Sequence, residues 1–194
     1  MKKIQLAILF CCIGYCLWAQ EPCPNYGSAT KPKEQKLNIA KNRSVTVSSS
    51  KKADYIPLNE LITTRKKEDS ALYTNGMYVY TEGFLISFEE EGPESCNCNM
   101  ANKKAKDGDV HMYLGLVNNA PKKNCIVVEL TPSYKKKHPD YATQLIKGQK
   151  VRIFGYMVYD YLHRGQSFNT CKSCNGVWRK TCWEIHPVTA IEQL

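Results

Sequence analysis

The chain has 194 residues, ten cysteines and a formal net charge of +9, with 43% hydrophobic and 23% charged side chains. That length carries one small domain plus a tail rather than several domains. The positive balance keeps such a chain in solution and directs attention to anionic partners, while the absence of a long apolar span argues against a membrane-embedded body.

Lys2 and Lys3 precede an apolar run from Ile4 to Leu17, and Ala19 before Gln20 is the kind of small residue at which a signal peptidase cuts. The run is too short for a good transmembrane span, so residues 1–19 read as a signal peptide and the mature chain is expected in the periplasm or outside the cell, with no stable span of its own. A lipid anchor at Cys11, Cys12 or Cys16 ranks below simple secretion, because Tyr15 and Cys11 poorly fit the small residue that such a cut requires. Cleavage would remove three cysteines, leaving seven, and the loss of Lys2 and Lys3 would lower the charge from +9 to +7. Seven cysteines in an exported chain imply disulfides and one odd thiol.

Residues 20–54 are rich in Lys, Ser, Pro, Asn and Gln without apolar periodicity, which predicts a flexible tether with Cys23 alone in it. Residues 55–75 read as a helical lead-in: Pro57 suits a first turn, and Leu58, Leu61 and Ile62 share one face of a helix reaching Lys67. Five strands are expected after the Asn75-Gly76 turn. The first, Met77–Glu89, is long and aromatic with a bend at Gly83. Asp109–Val117 and Asn124–Thr131 follow, joined as a hairpin through residues 118–121. Asp140–Lys147 is expected as a short helix ended by Gly148, before the strands Lys150–Tyr161 and Cys182–Gln193.

Three strands, a helix and two strands, with a glycine bend in the first, form the order of an OB-fold. The expected architecture is therefore all-β with one short helix, a five-stranded Greek-key barrel over residues 76–194 behind the tail. Gly148 and Gly155, at the start of and within the fourth strand, fit that pattern.

The segments Val151–Asp160, Asp109–His111, Val128–Pro132 and above all Cys182–Glu192, with its Trp-Glu-Ile-His-Pro-Val-Thr motif, resemble an uncharacterised family of exported bacterial proteins frequent among Bacteroidetes. The resemblance covers roughly Met77 to Leu194 and implies an exported OB-fold-like domain without assigning an activity. More broadly, the chain is similar to periplasmic bacterial OB-fold proteins that bind small ligands or cations, with no specific motif in common.

OB topology makes the third and fifth strands parallel neighbours, and Cys125 and Cys182 begin them, so a disulfide between these two is expected. Counting by two puts Cys125, Val127 and Glu129 on one face and Cys182, Glu184 and His186 on one face. The same alternation turns Asp109, His111 and Tyr113 outward and brings His111 opposite Glu129. His111, Glu129, Glu184 and His186 are thereby expected together on the outside of three adjacent strands, as a ligand or metal site or as acid and base groups. Ranked ahead of that site is the plainer reading of cross-strand ion pairs that hold the sheet, which also serves for Asp160 and His163.

Cys96, Cys98, Cys171 and Cys174 fall in the two loops that flank this face. Disulfides between the loops are the first reading and a four-thiolate zinc site the second, since Cys171 and Cys174 have ligand spacing while Cys96 and Cys98 stand closer than a usual knuckle. Apart from that zinc, no cofactor is expected. No phosphate-cradling loop, nucleophile elbow or zinc-protease helix occurs. The functional expectation is an exported binding module for a ligand such as nucleic acid, glycan or a small molecule. A metal-dependent hydrolase using His111, Glu129 and His186, and a structural envelope protein, are the alternatives.

Overall fold

The computed structural model describes residues 23–63, 72–99 and 108–194. The expected signal segment lies outside the described residues, as does the end of the expected lead-in helix. The described elements are α1 (Pro32–Lys41), β1 (Asp54–Tyr55), α2 (Leu58–Ile62), β2 (Tyr78–Glu90), β3 (Val110–Gly115), β4 (Ile126–Leu130), α3 (Pro132–Lys137), β5 (Lys150–Tyr159) and β6 (Trp183–Gln193), with short 3-10 turns between them.

The strand order is β1-β2-β3-β4-β6-β5, and a further pairing of β2 with β5 closes five of the strands into a mixed barrel with β1 as an extra strand. Closure depends on β2 serving two neighbours. Its first half, Tyr78–Phe84, pairs with β5 and its second half, Phe84–Glu90, pairs with β3. Gly83 stands at the changeover, where a side chain would collide with Leu58, Leu114 and the Gly115 carbonyl. β4 and β6 are parallel, with Val127 beside Glu184 and Val128 beside Ile185. Alternation then sends Met112, Leu114, Ile126, Val128, Leu130, Ile153 and Ile185 into a shared apolar interior.

Three expectations are corrected. The span expected as a flexible tether contains α1, whose Leu37 and Ala40 pack on Val158 of β5. Pro32 occupies its first turn, Glu34 faces its N-terminal dipole and Lys41 ends it, so the segment has helix signals although its apolar stripe is narrow. The helix expected over Asp140–Lys147 is only a 3-10 turn at Tyr141–Gln144. The α-helix between β4 and β5 lies earlier, at α3, where the Thr131 hydroxyl accepts a hydrogen bond from the Tyr134 amide and Pro132 starts the first turn.

Finally, Cys125 and Cys182 are both free. The parallel pairing beside them is as expected, but Cys182 precedes β6, and the Cys125 carbonyl accepts instead from the Lys180 amide. The Cys182 thiol turns into the barrel core towards Ser167 Oγ, at 3.3 Å, while Cys125 packs outside with Tyr113, Ala120 and Val127. The alternation that places Glu184 and His186 does not extend back to Cys182.

A buried histidine and carboxylate centre

His111 on β3 stands directly opposite Glu129 on β4, and Glu184 and His186 follow at alternate positions of β6. The four side chains converge outside the barrel wall, as strand periodicity requires. Their environment differs from an open face: Glu129, Glu184 and His186 are fully buried and His111 is 6% exposed. A roof made of α1, the loop carrying Glu94 and Cys96, and the segment before β6 covers them.

The roof is tied down by polar bonds. Ser95 Oγ donates to Glu34 at 2.6 Å, Asn42 Nδ2 donates to the Cys96 carbonyl at 2.7 Å, and Asn38 Nδ2 donates to the Tyr26 carbonyl at 2.9 Å. A disulfide joins Cys23 to Cys98. The second disulfide lies within one loop, between Cys171 and Cys174. The four thiols expected to link the two loops therefore do not do so. Cys98 pairs with the cysteine that stood alone, and Cys96 remains a buried free thiol. Two of the four expected zinc thiolates are thus in one local disulfide and a third is in the other.

Two groups of contacts make up the centre. In the first, Glu129 Oε1 lies 2.9 Å from His111 Nε2 and Glu129 Oε2 lies 2.9 Å from His186 Nδ1. His111 Nε2 is also 2.7 Å from Glu91 Oε1, and His186 Nε2 faces Asp109 Oδ2 at 3.6 Å. Each imidazole therefore meets more than one carboxylate: Glu91 and Glu129 face His111, and Glu129, Asp109 and Glu184 face His186. In the second group, Lys41 reaches Asp160 at 2.7 Å, Glu94 at 3.1 Å and Glu184 at 3.6 Å. Arg179 pairs with Glu184 at 2.8 Å and donates to the Thr181 carbonyl. His163 lies between Asp160 and Glu94.

Burial and crowding act against one another here. Burial pushes the Glu91 carboxyl up, with the Glu129 charge adding to it, to about 9. Burial likewise raises Asp109 to about 6, partly offset by His186. For Glu129 burial also works upwards, but the charges of His111, His186 and Lys41 outweigh it and hold the group well below the ordinary carboxylate range. Desolvation disfavours charged His111 and His186, yet the Glu129 carboxylate beside both holds them above the usual histidine range. Protein charges alone therefore leave the centre short of positive charge, and protons make up the difference.

Such a donor set suits a borderline or hard divalent cation. Ligand atoms of Glu91, His111 and Glu129 lie within 4.8 Å of one another, and the same holds for Asp109, Glu129 and His186. A cavity of about 360 Å³ lined by Glu89, Glu90, Glu91, Gly92, His111, Tyr113, Lys122 and Trp178 borders the first of these groups. Trp178 packs against both His111 and His163, with ring centroids 5.9 and 5.4 Å apart.

The expected cluster His111, Glu129, Glu184 and His186 is thus brought together. Glu184 belongs more to the Lys41 and Arg179 group than to the imidazoles. Periodicity gave no access to Lys41, Glu91, Glu94 and Arg179, which come from the roof and the strand end. Their signal is weak in one dimension: Lys41 ends a helix, while Glu91 and Glu94 sit in an acidic run after β2. No protein-family model matches the chain, and no curated protein matches it.

Proposed function

We propose that this chain is an exported, OB-fold-like binding module whose ligand is a divalent cation, held outside the barrel wall by Glu91, His111, Asp109, Glu129 and His186. The closed order β2-β3-β4-β6-β5, with α3 between β4 and β5, supports the OB-fold reading. The two disulfides support export, because such bonds persist in oxidising compartments.

The observation that carries the cation reading is the state of His186. Both of its ring nitrogens are completely buried and face carboxylates, Nδ1 towards Glu129 at 2.9 Å and Nε2 towards Asp109 at 3.6 Å. A buried imidazole set between carboxylates needs a positive charge beside it, supplied by a proton or by a metal ion. A cation engages nitrogen and oxygen lone pairs together and compensates the clustered carboxylates.

The test is calorimetric titration of the chelator-treated full chain with Zn²⁺ and with Mn²⁺, alongside Glu129→Gln. Saturable binding by the parent chain and affinity at least tenfold weaker in the folded variant are expected. A folded parent chain that binds neither metal leaves the cluster as a buried ion-pair network and ends this reading.

A further inference from the structure

Glu129 occupies the middle of the first contact group in an unusual manner. Its two oxygens face different histidines, Oε1 towards His111 and Oε2 towards His186, each at 2.9 Å. Two ligands bound to one ion at right angles, each about 2.1 Å from it, stand about 3.0 Å from one another. The His111 to Glu129, His111 to Glu91 and His186 to Glu129 separations of 2.9, 2.7 and 2.9 Å all fall near that value. Charged hydrogen bonds give similar distances, so the separations admit an ion at each place and the number of ions is decided by titration.

Glu129 belongs to two sets of ligand atoms that lie within 4.8 Å of one another, one with Glu91 and His111 and one with Asp109 and His186, and a further set of that span joins it to Glu91, Glu94 and Asp109. We infer that the centre holds two divalent cations that share Glu129 as a bridging carboxylate, an outer one on Glu91 and His111 and an inner one on Asp109 and His186. The inference rests on the cation reading above and adds to it the number of ions and the way they are joined.

Charge points the same way. Glu94, Asp160 and Glu184 are met by Lys41 and Arg179, with His163 at their edge. With neutral imidazoles, Glu91, Asp109 and Glu129 contribute three negative charges that no fixed protein cation touches directly. One divalent ion leaves a buried carboxylate uncompensated, whereas two cover all three and retain a positive charge for an added anionic ligand. Paired ions in two-metal sites stand about 3.5–4 Å apart.

The two positions differ in access. The side chains of His111 and Glu91 are 8% and 9% exposed and form part of the wall of the cavity beside Trp178. Asp109 and His186, at 2% and 0%, are closed off. The outer ion therefore has a free approach for an oxygen ligand such as water or phosphate, and the inner ion has a structural character.

Mn²⁺ titration of the chelator-treated full chain, read by electron paramagnetic resonance, tests the pair. This hard ion makes little use of the free thiols. Two Mn²⁺ per chain with the exchange-coupled spectrum of a carboxylate-bridged pair are expected. His111→Asn should keep one uncoupled inner ion and His186→Asn one uncoupled outer ion. If either variant fails to fold, the parent spectrum decides alone. One Mn²⁺ per chain, or two without coupling, overturns the shared-carboxylate pair and leaves the single-cation reading standing. A chain that binds no Mn²⁺ and no Zn²⁺ overturns both.

Discussion

Lys41 Nζ lies 2.7 Å from Asp160 Oδ2, and both side chains are closed to solvent, at 2% and 0% exposure. The ammonium comes from α1 and the carboxylate from the residue after β5, so this ion pair helps to fasten the N-terminal helix to the barrel. Burial disfavours the charged lysine, but Asp160, Glu94 and Glu184 together hold its pKa well above the ordinary value.

Removing that charge should be costly, because three carboxylates lose their shared cation while remaining buried. Lys41→Met is expected to lower unfolding free energy by about 3–5 kcal/mol, the range for breaking a buried pair from one side. Urea denaturation of parent and variant at equal ionic strength measures it. A change below about 1 kcal/mol would mean that the lysine is hydrated and the roof open.

The Cys23–Cys98 bond closes a sequence separation of 75 residues. The double variant Cys23→Ser with Cys98→Ser is expected to lose about 2–4 kcal/mol of stability. Hydrogen exchange gives the more specific readout: amides of Pro32–Lys41 should lose protection while those of β3 and β4 keep theirs. Uniform loss across the barrel would contradict the assignment of this bond to the roof.

Cys96, Cys125 and Cys182 are buried thiols, and burial raises all three above the ordinary cysteine pKa. Alkylation of native, unreduced protein should leave them unmodified. Unfolding without reductant should expose three reactive thiols within residues 23–194, and peptide mapping should assign them to these positions. Recovery of a peptide joining Cys125 to Cys182 would reverse the correction made above.

Export predicts a mature chain that starts near Gln20, through cleavage after Ala19. Intact-mass measurement of the protein recovered outside the cytoplasm checks this. Retention of residues 1–19 in that material would remove the signal-peptide reading.

Barrel and cluster were legible because both rest on a period of two. Alternation in Val110–Gly115, Ile126–Leu130 and Trp183–Gln193 decides which side chains share a face, and the β3–β4 hairpin sets His111 against Glu129. What covers that face was not legible. α1 docks with two apolar residues, Leu37 and Ala40, and otherwise through Glu34, Asn38, Lys41 and Asn42. A helix attached mainly by polar bonds and a disulfide has the composition of a linker, so residues 20–54 read as one. The pairing of Cys23 with Cys98 has no counterpart in spacing, because it depends on where α1 comes to rest.

The bond between Cys23 and Cys98 also sets an order of events. Before it forms, only the small apolar face of α1 and its polar bonds keep Lys41 near the acidic pit. Once it forms, the lysine is held at high effective concentration above the same carboxylates. Oxidation thus acts on the countercharge of Glu94, Asp160 and Glu184 rather than on the strand pairing beneath, in which neither disulfide takes part.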